Sequence, residues 1–269
     1  MPVDQVQYTR IDVEVPGLVE HAWVVVGGGP SREILLPDGR GLLQVVLEGD
    51  GSLVDTLTGA STPDATGVRG LMTRPVVRVQ DGSGVRLGIQ LAPSALAAVG
   101  APGLVDAWGD AEGLVGPALG RASDELAAGR FAAAAHELVD ALVARRVEPT
   151  LDAVRFGEVL RLVDERAGLV SAQELARAEG VTVSDLHRWT LLFLGAQPAD
   201  YLAAVRFASF VRQAVGPGVA RPDAVLQALS WYSRAEVPPR EVERSTGLDP
   251  VELRRVEERI AALVGPATV

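Results

Sequence analysis

Short stretches that alternate apolar and polar residues dominate the first third of the chain, and this period is typical of half-buried β-strands. Such a pattern, or a brief β-branched run, occurs at residues 11–15, 22–26, 42–47, 76–79 and 85–91. Turn sequences rich in glycine and proline lie between these stretches, for example at residues 27–30 and 37–39. Many short strands with frequent turns predict a β-sandwich or a small β-barrel over about residues 1–93.

The apolar spacing changes from two to three or four residues beyond Pro93, where alanine and leucine replace valine. This spacing predicts helices, at residues 94–99, 113–128, 130–146, 152–167, 172–179, 183–194, 198–215 and 223–235. The chain therefore divides into a β-rich part (1–93), a helical linker (94–149) and a helical C-terminal part (150–269). The apolar faces of the linker helices suit either dimerisation or packing against the β-rich part, and they include Leu126, Phe131, Leu138 and Leu142.

A short helix, a glycine-containing turn and a second helix follow one another between residues 171 and 194, the arrangement of a helix-turn-helix. Ser171 stands three residues before Glu174, which is the spacing of a capping box. The pattern recurs 67 positions later, in the pairs Glu174 and Glu241, Arg177 and Arg244, Gly180 and Gly247, Leu186 and Leu253, Arg188 and Arg255. The C-terminal part is therefore predicted to hold two similar helical units, joined by the helix at 198–215.

The second helix of each unit has a polar stripe opposite its apolar positions. In the first unit this stripe contains Ser184, Asp185, His187 and Arg188, and in the second it contains Arg254 and Arg255 beside Val251 and Glu252. A recognition helix presents its N-terminal residues to base edges in the major groove, and arginine can bind guanine through two hydrogen bonds. These six polar side chains are the candidates for DNA binding. The alternative interpretation is that both stripes are solvated helix faces.

Two helix-turn-helix units joined by a long helix and preceded by a β-rich domain resemble the AraC family of transcriptional regulators. In the C-terminal part the resemblance lies in residues 172–188 and 195–198 and in Tyr201, Arg206 and Phe207. In the front part it lies in Trp23-Val24-Val25, Leu36-Pro37-Asp38-Gly39, Gly59 and residues 87–93. The resemblance implies a cupin-like sensor in front of a DNA-binding domain, and it places Ser184, His187 and Arg188 at base-facing positions.

The charge balance restricts how DNA could be bound. The 269-residue chain has a net charge of −10, with −8 in residues 1–150 and −2 in residues 151–269, and all 25 basic residues are arginine. This acidity argues against bulk attraction to a polyanion, so DNA binding must depend on a local patch. Leu191 and Leu192 also follow Arg188 where the family has basic or polar residues. An alternative function is a ligand-binding or protein-interaction module that keeps the regulator fold but has lost DNA binding.

Residue usage excludes several other classes of protein. The chain has no cysteine, and its three histidines, His21, His136 and His187, are not clustered for metal binding. Disulfides, thiol nucleophiles and zinc sites with cysteine ligands are therefore excluded. The sequence also has no G-x-S-x-G motif. We expect no enzyme, no cofactor and no metal. Because no apolar stretch approaches the roughly 18 residues of a membrane span and no targeting segment is recognised, a cytoplasmic protein without a membrane partner is expected.

A small ligand could occupy the interior of the β-rich domain. Its predicted lining comprises Trp23, Leu43, Val45, Leu87 and Ile89, and the alternative is that these side chains fill a core. The sequence thus predicts an α+β fold, in which an N-terminal β-rich cupin-like barrel or sandwich precedes an all-α C-terminal domain with two tandem helix-turn-helix units. The predicted function is that of a sequence-specific DNA-binding transcriptional regulator, a homodimer with double-stranded DNA and a small-molecule effector as partners.

Overall fold

The computed structural model describes residues 7–49, 51–101, 103–216, 222–234 and 238–264, with the backbone alone at 232–234. Its strands are β1 (Gln7–Ile11), β2 (Val19–Gly27), β3 (Ser31–Leu35), β4 (Gly41–Glu48), β5 (Gly51–Asp55), β6 (Ser61–Pro63), β7 (Gly67–Arg69), β8 (Val76–Gln80), β9 (Gly84–Leu91) and β10 (Trp108–Gly109). They form two antiparallel sheets. Sheet A has the strand order β1-β2-β9-β4-β7-β10, and sheet B has the order β3-β8-β5-β6.

Helices make up most of the chain after the ninth strand. They are α1 (Ala95–Ala98), α2 (Ala111–Val115), α3 (Ala118–Ala127), α4 (Phe131–Ala144), α5 (Leu151–Glu165), α6 (Ala172–Ala178), α7 (Val183–Leu194), α8 (Pro198–Val215), α9 (Pro222–Arg234), α10 (Pro239–Thr246) and α11 (Pro250–Val264). The α5–α7 and α9–α11 helices form the two predicted units, and α8 joins them. The α+β fold class with tandem helix-turn-helix units is therefore confirmed.

The apolar face of sheet A points away from sheet B. Alternate residues of its central strands, such as Leu43, Leu87 and Ile89, pack in one core with Leu138 and Leu142 of α4. Side chains on a strand alternate between the two faces of a sheet, so one face of sheet A is fully covered by the helices between residues 95 and 144. The apolar faces of these helices are used for packing within the chain.

The outer face of sheet B packs against the second helical unit. Ile34 of β3 and Val77 of β8 share a core with Phe207 of α8 and with Leu253 and Val256 of α11. A third core lies inside the first unit, and Leu71 from the loop after β7 joins it. Both helix-turn-helix units therefore pack directly on the β domain, which fixes the position of their second helices relative to the sheets.

Charged side chains fill the layer between the two sheets. Asp64 lies before β7 and accepts hydrogen bonds from Gln44 Nε2 (2.8 Å), Arg78 Nε (2.8 Å) and Arg86 Nη1 (2.9 Å). Arg78 also binds Glu33 at 2.9 Å. Burial of an ionised group is costly unless the group is paired and hydrogen-bonded, and Asp64 is both in this network. The ion pairs with Arg78 and Arg86 lower the pKa of Asp64 although burial opposes the change.

Several boundaries differ from the sequence-based predictions. The first strand is residues 7–11 rather than 11–15, and the strands β3, β5, β6, β7 and β10 were not predicted. The helix expected at 113–128 is divided into α2 and α3, because Gly116 has a φ of +54° and Pro117 follows it. The region after Pro93 is not wholly helical, since β10 pairs with β7 at the edge of sheet A. The end of the helix predicted at 223–235 lies outside the described residues at position 235.

Candidate functional site

The first helix-turn-helix unit is built on two capping boxes. Ser171 and Glu174 cap α6, while Thr182 and Asp185 cap α7. Each box satisfies backbone donors that a helix start leaves without partners. The Asp185 carboxylate accepts from the Thr182 hydroxyl at 2.7 Å, and these hydrogen bonds lower the pKa of Asp185. Asp185, one of the residues predicted to bind DNA, thus caps the start of its own helix.

The outward stripe of α7 has the expected exposure. Ser184, His187 and Arg188 are all exposed, whereas Leu186 and Trp189 are buried on the opposite side of the helix. Arg188 Nη2 lies 3.2 Å from Asp185 Oδ1 and 3.4 Å from Asp152 Oδ2. Arg188 is therefore held between two carboxylates, which any other partner of its guanidinium would have to displace.

The second unit presents its arginines differently. Asp249 Oδ1 accepts hydrogen bonds from the backbone N–H groups of Val251 (2.7 Å) and Glu252 (2.8 Å), which caps the start of α11. Arg254 and Arg255 are exposed beyond this cap. Within the described part of the chain neither arginine has an ion pair. The arginines of the second unit are thus free of the carboxylate partners that Arg188 has in the first unit.

The surroundings of α7 are not basic. Residues 150–198 contain five arginines against seven acidic residues. Leu192 is 62% exposed and Leu191 is 40% exposed, so both leucines lie at the surface of α7 instead of in a core. The local charge therefore gives no broad positive surface, and any DNA contact depends on individual arginines.

The linker touches the end of α7, and the β domain touches α11. At the end of α7, a Cβ added to Gly103 would lie 2.9 Å from Gly195 Cα, so the two backbones are in close contact. At α11, the turn between β5 and β6 brings Gly59 against Arg259, where an added Cβ would lie 2.6 Å from Nη1. Leu57 of the same turn borders a cleft together with Arg255.

A polar contact joins the two halves near Gly39. Arg40 binds Glu20 at 2.6 Å within the β domain and Asp164 of α5 at 2.9 Å. Arg212 of α8 binds Asp38 at 2.9 Å. These contacts lie at the Leu36–Gly39 sequence that carried part of the family resemblance, which indicates that this sequence serves the interface between the halves.

The predicted ligand-lining residues lie in two different places. Leu43, Val45, Leu87 and Ile89 are at most 1% exposed in the core beneath α3 and α4. Trp23 points to the other face of sheet A, over Gly88. None of these five residues lines the cavity at the edge of the β domain. Their spacing in the sequence did not show which face of the sheet the helices cover.

That cavity lies at the β7 and β10 edge of the β domain and has a volume of about 420 Å³. Its buried floor contains Leu53, Gly67, Arg69 and Met72, and Trp108 forms one wall. Sequence reasoning missed it because β5, β7 and β10 are short and were not predicted. Among the described residues no group of His, Cys, Asp or Glu could hold a metal ion. None of the helices described is both long and apolar enough to cross a membrane.

Comparison with known proteins gives only distant matches. No protein-family model matches the sequence, and a search of curated proteins finds no match. Among solved structures, the AraC-like transcriptional activator CuxR matches with 11% identity and a TM-score of 0.31, over 65% of this chain and 70% of that one. ToxT from Vibrio cholerae matches with 10% identity and a TM-score of 0.40, over 94% and 97%. A ToxT structure with a bound unsaturated fatty acid matches with 10% identity and a TM-score of 0.38, over 96% and 100%. CuxR is described as AraC-like, which is the family that the sequence resembles.

Proposed function

We propose that the chain is a sequence-specific DNA-binding transcriptional regulator of the AraC type, cytoplasmic and not an enzyme, with a small-molecule effector in its β domain. The observation that supports this function is the repeated unit: α6–α7 and α10–α11 each place a capped second helix with exposed arginines near its start. A recognition helix needs this exposure, because its first turns enter the major groove.

The roles differ among the candidate residues. Arg188 would bind guanine, with Ser184 and His187 at adjacent base edges. Arg254 and Arg255 would supply the second contact, to bases or to phosphates. Asp185 would make no DNA contact, because its carboxylate is committed to the helix cap and would repel phosphate.

Effector control would act through the contacts between the halves. Asp55 and Ala60 line the 420 Å³ cavity and also bracket the turn whose Gly59 meets Arg259 of α11. Asp55 Oδ1 accepts from the backbone N–H groups of Leu57 and Thr58, both at 2.8 Å, and so holds that turn. A ligand in the cavity therefore adjoins the segment that contacts the second recognition helix.

We also propose that the chain forms a homodimer. Because α3 and α4 cover sheet A, the dimer would use a surface other than their apolar faces. Light scattering of the full chain at several concentrations tests this part, with a mass of one chain at every concentration as the opposing result.

The alternative candidate is a protein-interaction module that keeps the fold without binding DNA. It is favoured by the acidic balance of the first unit and by the exposed Leu191 and Leu192. A pull-down of genomic fragments with the full chain, followed by a salt titration of the recovered site, separates the two. Affinity that falls steeply with salt supports the regulator, and no recovered site at low salt supports the module.

A further inference from the structure

Arg69 is a buried cation that forms no ion pair with any described residue. It ends β7, opposite Trp108 of β10, and the guanidinium carbon lies 5.8 Å from the centre of the Trp108 ring. Within the described chain its Nε and Nη1 atoms are buried and make no hydrogen bond. Burial, with repulsion from Arg78, lowers the pKa of Arg69 to about 10. The side chain is therefore still protonated at neutral pH, and its buried charge is stabilised only at longer range, by Asp38, Asp64 and Glu33, which leaves its burial costly.

The other arginines nearby have carboxylate partners. Arg78 and Arg86 share Asp64 between the sheets. Arg74, at the edge of the cavity, binds Asp55 at 3.2 Å and Asp106 at 3.3 Å. Arg69 alone among these four lacks an ion pair in the described residues. Arg69 lines the cavity and has two nitrogens that make no hydrogen bond to a described residue, so its guanidinium is the candidate partner for an anion bound there.

The cavity beside Arg69 is suited to a small molecule with a largely apolar body. Leu53 and Met72 form the buried floor with Arg69, while the rim is formed by small residues such as Ala65 and Ala107. Its volume of about 420 Å³ lies in the range of small-molecule sites. Apolar walls with one oriented charge are the usual composition of such a site.

The two acids that line the cavity are already engaged. Asp55 binds Arg74 and two backbone N–H groups of its turn. Asp106 accepts from the Thr73 backbone N–H at 2.8 Å and from the Thr73 hydroxyl at 2.6 Å. They are therefore not free to bind a cationic ligand, and their charge opposes a dianion. A single negative charge, directed to Arg69, is what the cavity can accept.

We propose that this cavity binds a monocarboxylate with a compact apolar body, whose carboxylate pairs with the Arg69 guanidinium and whose body covers Leu53, Met72 and Trp108. The proposal deepens the effector-binding part of the proposed function and rests on that part. Charge-assisted hydrogen bonds between guanidinium and carboxylate are among the stronger polar contacts in proteins, and here they would form away from bulk water.

The test uses calorimetric titration of the full chain, without DNA, with three carboxylates and their alcohols. The pairs are hexanoate and 1-hexanol, phenylacetate and 2-phenylethanol, and indole-3-acetate and tryptophol. At least one carboxylate is expected to bind, and its alcohol is expected to bind at least about tenfold more weakly. Inorganic phosphate serves as an anion without an apolar body and is not expected to bind.

Variants assign the binding to the guanidinium. Arg69→Met is expected to weaken carboxylate binding by about 10- to 100-fold, and Arg69→Lys by less. Arg32→Met is the control, because it removes the same charge at a partly buried arginine of β3 that pairs with Asp81 and does not line the cavity. Circular dichroism and a thermal melt of each variant confirm that it is folded.

Four results overturn the proposal: no binding by any of the three carboxylates, equal binding of an alcohol, equal binding of phosphate, or full binding by folded Arg69→Met. Because no DNA is present, these results concern the cavity alone. Loss of DNA binding with intact carboxylate binding would instead remove the regulator function and leave the site in place.

Discussion

Arg188 of α7 is bound by Asp185, three residues earlier on the same helix, with 3.2 Å between Nη2 and Oδ1. The other oxygen of Asp185 accepts from the Thr182 backbone N–H at 3.2 Å and from its hydroxyl at 2.7 Å. One carboxylate therefore both starts the recognition helix and neutralises its central arginine. This arrangement fixes the direction of Arg188 but lowers the charge that α7 offers to DNA.

Arg188→Ala tests the role assigned to the first recognition helix. Loss of a bidentate contact to guanine is expected to weaken binding to the cognate site by about 1 to 3 kcal/mol and to relax preference at one base position. Fluorescence anisotropy with the cognate duplex and single-base variants measures both effects. Arg161→Ala is the matched control, because Arg161 is an exposed arginine of α5 that is already paired with Glu158 and Glu165. Equal losses in the two variants would contradict the assignment.

Asp152→Asn is expected to strengthen DNA binding. Asp152 of α5 lies 3.4 Å from Arg188, and its replacement removes one of the two carboxylates at this arginine while Asp185 and the capping box of α7 stay intact. Exposed ion pairs contribute little, so the expected gain in affinity is up to about fivefold. The same anisotropy assay measures it. Asp200→Asn, at an exposed acid in the first turn of α8, is the comparison, and a gain of the same size there would show an effect of net charge alone.

Asp64 should control part of the acid stability of the β domain. Its pKa is lowered by Arg78 and Arg86, so the stabilisation is present above the ordinary value of 3.8 and is lost as pH falls below it. Asp64→Asn is expected to lose about 3 to 5 kcal/mol at pH 7 and to show a smaller further loss between pH 5 and pH 2. Urea unfolding at several pH values measures both.

The comparison for Asp64 is Asp81→Asn, since Asp81 is an exposed acid paired with Arg32. Asp81→Asn should have the same free energy of unfolding as the wild-type chain at pH 7. At low pH it should lose as much stability as the wild-type chain does. If Asp64→Asn behaved in the same way, the buried network between the sheets would not stabilise the β domain.

Replacement of two buried arginines should have different effects on the free energy of unfolding. Arg78→Met leaves Asp64 and Glu33 without a shared cation and is expected to cost about 3 to 5 kcal/mol. Arg69→Met removes a guanidinium with unpaired nitrogens, so the free energy of unfolding should stay constant or rise by about 1 to 3 kcal/mol. Chemical denaturation of the ligand-free chain compares them. A loss in Arg69→Met as large as in Arg78→Met would mean that Arg69 has a structural partner.

The helical half of the fold could be predicted closely because its signals are local. Caps such as Ser171 with Glu174, and breakers such as Gly195, mark helix ends within a few residues. The 67-residue repeat then identified the two units. The division of the predicted helix at Gly116-Pro117 was missed, although glycine followed by proline is itself a local signal.

The β domain was harder to predict because its pairing is not local. β7 is only three residues long and takes its place in sheet A between β4 and β10. Sequence periodicity gives two faces for a strand but does not indicate which face meets the helices. Leu87 and Ile89 were therefore considered for a ligand site, while Arg86, next to Leu87 on the opposite face of the strand, belongs to the charged layer and Arg69 to the cavity.

The most direct test of the central claim is equilibrium binding of the wild-type full chain to DNA recovered from its own genome, measured between 50 and 200 mM salt. We predict preference for one recovered site over scrambled sequence. We also predict that the logarithm of affinity falls against the logarithm of salt concentration with a slope of about −2 or steeper, since each neutralised phosphate contributes about −0.9 and the exposed Arg254 and Arg255 are the candidate phosphate contacts. Absence of binding at 50 mM salt, or a flat response to salt, would contradict the account.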